Sequence, residues 1–166
     1  MAPEWRPIAF GVIVRARGTL PWSFAAEREE HFTEIARRAA TRGLPELRYP
    51  EGWPRDTYSL HGLRAALLAE DQDELRALSR ELFETMFAQG RHLADVEAVL
   101  DAAQRAGMDR ERVRRGIEDP VVKQRLRAQT DAALEHGVTG VPTVEVAGKL
   151  FWGDDRLEEA AAALVY

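Results

Sequence analysis

Cysteine is absent from this 166-residue chain. Disulfides, thiolate metal sites and Cys-x-x-Cys redox chemistry are therefore excluded. Lysine is nearly absent too: only Lys123 and Lys149 occur, and the rest of the 23 basic residues are arginine. Enrichment in Lys and Glu is the proteome-wide mark of heat adaptation, so this bias carries no thermal conclusion. No apolar run approaches the ~20 residues needed to cross a bilayer. The opening Met-Ala-Pro-Glu-Trp-Arg is not a basic region followed by a long apolar core, so a cytoplasmic protein is expected. There is no surplus of positive charge. With 28 acidic residues and a net charge of −5, both signs interspersed, nothing resembles a nucleic-acid or membrane patch. His31, His61, His92 and His136 are far apart and show no ligand spacing, so no metal is expected. A glycine-rich phosphate loop, a Gly-x-Ser-x-Gly elbow, internal repeats and low-complexity tracts are all missing.

The length suits one domain with an elaboration. Arg6 to Val14 is nearly all apolar and rich in β-formers, which predicts a strand buried on both faces. Gly18 to Pro21 breaks the chain. Ser23 can then cap a helix in which Phe24, Arg28, His31, Phe32, Ile35 and Ala39 recur at three- and four-residue steps, and Gly43 closes it. Residues 44–56 hold prolines, glycines, Tyr49 and Trp53, the composition of an ordered connecting loop rather than a flexible linker. Thr57 or Ser59 can cap a helix running to about Glu70. Helical periods follow at Leu75, Leu78, Leu82 and Met86, at Leu93, Val96, Val99 and Leu100, and at Val122, Leu126, Ala133 and Leu134. Asp73, Asp95 and Asp119 or Pro120 supply starts.

The most informative stretch runs from Gly137 to Leu157. Val141, Val144 and Val146 favour an extended chain, Ala147-Gly148 can turn it, Lys149 to Trp152 resume it, and Gly153 ends it before two aspartates. The pattern predicts a β-hairpin feeding a helix. A proline at the mouth of a strand donates no N–H, so the backbone of Val141 before it can face a ligand instead of another strand. Asp154 or Asp155 can cap the final helix, with Glu158 completing a capping box, and the free amides there suit an anionic group. An edge-strand proline and an ordinary helix cap explain the same residues.

Gly-Val-Thr-Gly-Val-Pro-Thr followed by Leu-Phe-Trp-Gly-Asp-Asp-Arg-Leu closely resembles the carboxy-terminal signature of the 2-hydroxychromene-2-carboxylate isomerases, relatives of kappa-class glutathione transferases in the DsbA-like branch of the thioredoxin fold. The resemblance extends over most of the chain and is strongest at its ends. It implies an α/β fold in which a thioredoxin-like sheet with its C-terminal helix, residues 1–22 and 138–166, carries an inserted helical subdomain, residues 23–137. Family members place a strand and a helix ahead of the Trp5-Arg6-Pro7 stretch, and their glutathione-associated serine heads that helix. That unit, about 30 residues by the size of a strand-helix-strand element, is not in this sequence, which leaves the catalytic residue unknown. A strand over 6–14 without an inner neighbour would expose both edges. A longer protein, a strand donated by a second copy in a homodimer, or direct pairing with the hairpin would each satisfy it.

The activity the resemblance implies is glutathione-dependent isomerisation of an aromatic carboxylate, with glutathione as cofactor. Kappa-type transfer and a non-catalytic thioredoxin-like protein are the alternatives. In the family pattern the backbone of Val141 pairs with the cysteinyl part of glutathione and Pro142 is cis. Trp152, Gly153, Asp154 and Asp155 meet the γ-glutamyl end, with a carboxylate taking the ammonium. Arg15 falls where relatives often have a lysine beside the substrate carboxylate, and a guanidinium can hold a carboxylate through two parallel bonds. Trp22, after Pro21, could wall an aromatic pocket. A solvated arginine and a core tryptophan account for these two positions equally well.

Overall fold

The computed structural model describes residues 3–55 and 57–164. In chain order it contains α1 (Phe10–Arg17), a 3-10 turn (Trp22–Phe24), α2 (Arg28–Thr41), α3 (Leu60–Ala66), α4 (Gln72–Phe87), α5 (Val96–Arg105), α6 (Arg110–Gly116) and α7 (Pro120–Glu135). After these come β1 (Thr143–Val146), β2 (Lys149–Trp152), a second 3-10 turn (Asp154–Arg156) and α8 (Leu157–Ala163).

The helical block is started by aspartates. Asp71 accepts from the amides of Asp73 and Glu74 at 2.9 and 2.8 Å, Asp95 from Glu97, and Asp119 from Val121, with Pro120 in the first helical turn. Each such cap contributes about 1 kcal/mol, because it satisfies amides that the helix cannot. The largest core lies among α3, α4, α5 and α6, where Leu78, Val99, Leu100 and Val113 are fully buried. Leu67, Val122 and Leu126 form a second cluster where α3 meets α7, and Val146, Phe151 and Ala160 a third between the hairpin and α8.

Four expectations are corrected. Arg6 to Val14 is not a strand: residues 10–17 are helical despite Val12, Ile13 and Val14. Among the described residues the sheet has only β1 and β2, so no neighbour exists for such a strand, and it does not pair with the hairpin. A helix satisfies its own backbone groups within the segment, which outweighs a weak β-propensity. α1 packs on α7: the amide of Ala9 donates to Thr130 Oγ1 at 3.0 Å, and Ile13 is fully buried. Gly18, at φ 63°, ends it in the left-handed conformation. Ser23 caps nothing. It is buried in the first 3-10 turn, and α2 starts five residues later without a side-chain cap.

Asp71 starts α4 in place of Asp73. The expected capping box at Asp155 and Glu158 is likewise not formed, since Asp154–Arg156 make a 3-10 turn and α8 has no side-chain cap. α6 escaped detection because Arg-Glu-Arg-Val-Arg-Arg-Gly buries only Val113 and so shows no apolar period.

The hairpin has the expected register, with Thr143 opposite Trp152 and Val146 opposite Lys149. Ala147 and Gly148 turn it at φ 49° and 79°, the signs a two-residue hairpin loop requires. Val144, Val146 and Phe151 share the face that packs on α8. Trp152 and Glu145 lie on the other, where Glu145 meets His136 at 3.2 Å.

Candidate functional site at the open end of the hairpin

The hairpin, the turn after it and the last turns of α2 converge on one small surface. At its centre the Val141–Pro142 peptide is cis. Val141 is 44% exposed, and among the described residues neither its N–H nor its C=O is hydrogen-bonded. The ladder resumes immediately afterwards, where the amide of Gly153 donates to the Pro142 carbonyl at 3.0 Å. Thr143 Oγ1 donates to the Gly140 carbonyl at 2.7 Å, fixing the turn into β1. Val141 therefore offers a free donor and acceptor on a rigid strand mouth, the pair that an extended peptide needs in order to bind.

Two glycines shape the flanks. A side chain on Gly140 would collide with the indole of Trp152, which lies against it while remaining 57% exposed. Gly153, at φ 111° and ψ 155°, occupies a conformation essentially restricted to glycine. A Cβ there would strike the Asp155 carboxylate, which folds back over it.

The two aspartates differ sharply. Both oxygens of Asp154 accept from Arg38 Nη1, at 3.0 and 3.1 Å, and one also meets Arg42 Nη1 at 3.4 Å. Asp155 forms no ion pair or side-chain hydrogen bond among the described residues. It faces an open hollow of about 330 Å3 lined by Arg37, Arg38, Thr41 and Arg42. On α2, Glu34 accepts from Arg37 and Arg38 and is held down to about 2 by those bonds, Arg37's first. Glu34 is thus ionised at neutral pH and fixes two of the arginines.

Val141, Pro142, Trp152, Gly153, Asp154 and Asp155 are thus brought together, and Arg38 and Arg42 join them unforeseen. The spacing of Glu34, Arg38 and Arg42 puts them on one helix face, the only trace of this in the sequence. Arg15 lies elsewhere, exposed in the last turn of α1. Trp22 sits at the opposite end of α2 in an aromatic cluster, its ring 5.3 Å from His31, 5.5 Å from Phe32 and 6.3 Å from Trp53. His31 and Arg38 are seven residues apart, about 10 Å along a helix. Trp22 is not among the residues that line the hollow beside Asp155. No three His, Asp or Glu side chains among the described residues come together as a metal site, and no described helix is long and apolar enough to cross a membrane.

Comparison with known proteins bears on this arrangement. A family model for the DSBA-like thioredoxin domain matches residues 4–165. Kappa 1 glutathione S-transferases of Rattus norvegicus and Homo sapiens are each 29% identical, over 73% and 71% of this chain. The aligned parts make up 57% and 59% of those proteins, so the chain spans rather more than half the length of these relatives. A 2-hydroxychromene-2-carboxylate isomerase of Sphingobium xenophagum is 28% identical over 57% of the chain and 48% of its own length. A solved 2-hydroxychromene-2-carboxylate isomerase superposes on 98% of the chain and 79% of its own, with a TM-score of 0.83 at 21% identity. At that identity the superposition speaks for the fold, which here is mostly helical with a two-stranded sheet. The chain belongs to the DSBA-like thioredoxin family, and its relatives there include kappa 1 glutathione S-transferases and a 2-hydroxychromene-2-carboxylate isomerase, to which it is similar.

Proposed function

We propose that the open end of the hairpin binds glutathione and that the protein is a glutathione-dependent isomerase of the 2-hydroxychromene-2-carboxylate type. The observation that carries the binding reading is the exposed backbone of Val141, unpaired among the described residues, at the open end of the hairpin whose following turn carries Asp155, itself without an ion pair among those residues. The backbone of Val141 pairs with the cysteinyl residue in the manner of an added strand. Asp155 takes the α-ammonium of the γ-glutamyl group, because Asp154 is already neutralised by Arg38 and Arg42. Arg42, which lines the same hollow and shares Asp154 only through a 3.4 Å contact, has its remaining N–H groups for the α-carboxylate of the same group. Trp152 bounds the site on its open side and restricts water there. Glutathione, when bound, would supply a thiolate able to add reversibly to a carbon of a carbon–carbon double bond conjugated to the substrate's carbonyl, so that this bond becomes single and can turn before the sulfur leaves and the double bond re-forms.

A kappa-type transferase is the second reading. It is favoured by the longer matches to the kappa transferases, which exceed the match to the isomerase in share of this chain. Both use the same binding residues and part only in the electrophile accepted.

Isothermal titration tests the binding. Wild-type protein should release heat with millimolar or tighter affinity for glutathione. Asp155→Asn should weaken it about tenfold or more, since a charged hydrogen bond contributes about 1.5–3 kcal/mol. No heat from the wild type would overturn the reading. Turnover of hydroxychromene carboxylate, set against conjugation of a halogenated aromatic electrophile, separates isomerase from transferase.

A further inference from the structure

We infer that Arg38 is a positioning residue for this site: by neutralising Asp154 it anchors the 153–156 turn to α2 and leaves Asp155 free to meet the ligand's amine. The second half of this statement rests on the glutathione reading, while the first does not.

The backbone cannot hold the turn by itself. It begins at Gly153, whose lack of a side chain leaves the direction of the next residues loosely set, and neither the 3-10 turn nor α8 has a side-chain cap. Its backbone ties are the Gly153 amide to the Pro142 carbonyl and a 3.4 Å bond from the Arg156 amide to the Gly153 carbonyl. Hydrophobic packing from α2 does not fix it either, for the described core clusters place α8 against the hairpin and leave α2 out. What reaches across is ionic. Arg38 Nη1 chelates both Asp154 oxygens, and Arg38 Nε is itself held by Glu34 Oε1 at 2.8 Å. Arg42 adds a third, longer bond from one turn further along α2. The partners are 116 residues apart in sequence.

Geometry explains why the neutralised carboxylate must be Asp154. Were Arg38 released, its guanidinium would find Asp155 within the same hollow, and the ammonium acceptor would be lost. An arginine with one acceptor already fixed loses less freedom on binding the second than a free side chain does. Glu34 thus pre-orients Arg38, Arg38 holds Asp154, and Asp155 remains open.

Four proteins test this: wild type, Arg38→Gln, Asp154→Asn and the double variant, with Arg38→Lys as the conservative control. Hydrogen exchange across residues 150–157 reads the anchoring without any ligand, and glutathione titration reads its consequence. Each single variant should speed exchange there, and each should weaken glutathione about five- to tenfold, the double variant being no worse than either alone because one pair is removed in all three. Arg38→Lys should recover part of both. Exchange and affinity within twofold of wild type in Arg38→Gln, or additive losses in the double variant, would overturn the inference. If the wild type binds no glutathione while exchange still responds non-additively, the anchor stands and the functional reading falls.

Discussion

Gly140 is buried beneath the indole of an exposed tryptophan, an arrangement in which one missing methyl group sets the place of a large ring. In Gly140→Ala the new Cβ forces Trp152 to swing away. Trp152 is free to do so because its far side is open. The cost in stability is that of moving this ring off its rotamer, about 0.5–1.5 kcal/mol, whereas the loss at the site should be plain. Intrinsic fluorescence should change in Gly140→Ala and not in Gly140→Ala made on a Trp152→Phe background, and glutathione should bind the single variant more weakly. The same scale separates Asp154 from Asp155. Adjacent and chemically identical in the sequence, they differ in the structure because Arg38 and Arg42 reach Asp154 whereas Asp155 folds back over Gly153.

At the scale of elements, α2 carries both the support of the site and a measurable pH dependence. Glu34 is depressed from 4.5 to about 2 by hydrogen bonds from Arg37 and then Arg38. A carboxylate with a lowered value in the folded state adds stability that is complete above its unfolded value and is lost as the pH falls toward the folded one. The gap in urea midpoint between wild type and Glu34→Gln should therefore be constant from pH 8 to about pH 5 and should close between about 4.5 and 2. It will be modest, because the side chain is 41% exposed and solvent screens the pair. The same applies to the ion pairs around α5, where Glu97 meets Arg110 and Arg114 of α6 and Asp101 meets Arg110 and, from the loop before α5, Arg91. α1 differs at this scale: its sequence reads as a strand, yet it forms a helix that packs on α7 and buries Ile13 fully.

Across the molecule, stability and recognition reside in different places. The largest core lies within the helical block, and Leu100 is fully buried there. Leu100→Ala should lower unfolding free energy by about 2–5 kcal/mol, as large-to-small core changes do. Val121→Ala, at a position 62% exposed, should alter it by about 0.5 kcal/mol or less. Urea unfolding of both variants checks the contrast. The candidate site draws instead on the small hairpin cluster of Val146, Phe151 and Ala160, with an ionic tie to α2. A site supported in this way should respond to salt more readily than the fold does, since exposed charges are screened and buried apolar contacts are not.

Much of this was legible in the residues because it depends on local chemistry. Absent cysteine removed dithiol catalysis, alternating valines and a two-residue turn specified the hairpin and its register, and aspartates before periodic apolar residues marked the starts of α4, α5 and α7 to within two residues. These signals act over a few residues, so they survive without knowledge of the fold. Whether residues 10–17 would be strand or helix was left to the folded molecule, because that depends on a neighbour distant in the chain. Packing also brought Arg38 beside Asp154, since an ion pair between residues 116 apart leaves no periodic trace. It set Trp22 against His31 and Phe32 near the start of α2, while Arg38 and Arg42 at the other end of that helix reach Asp154.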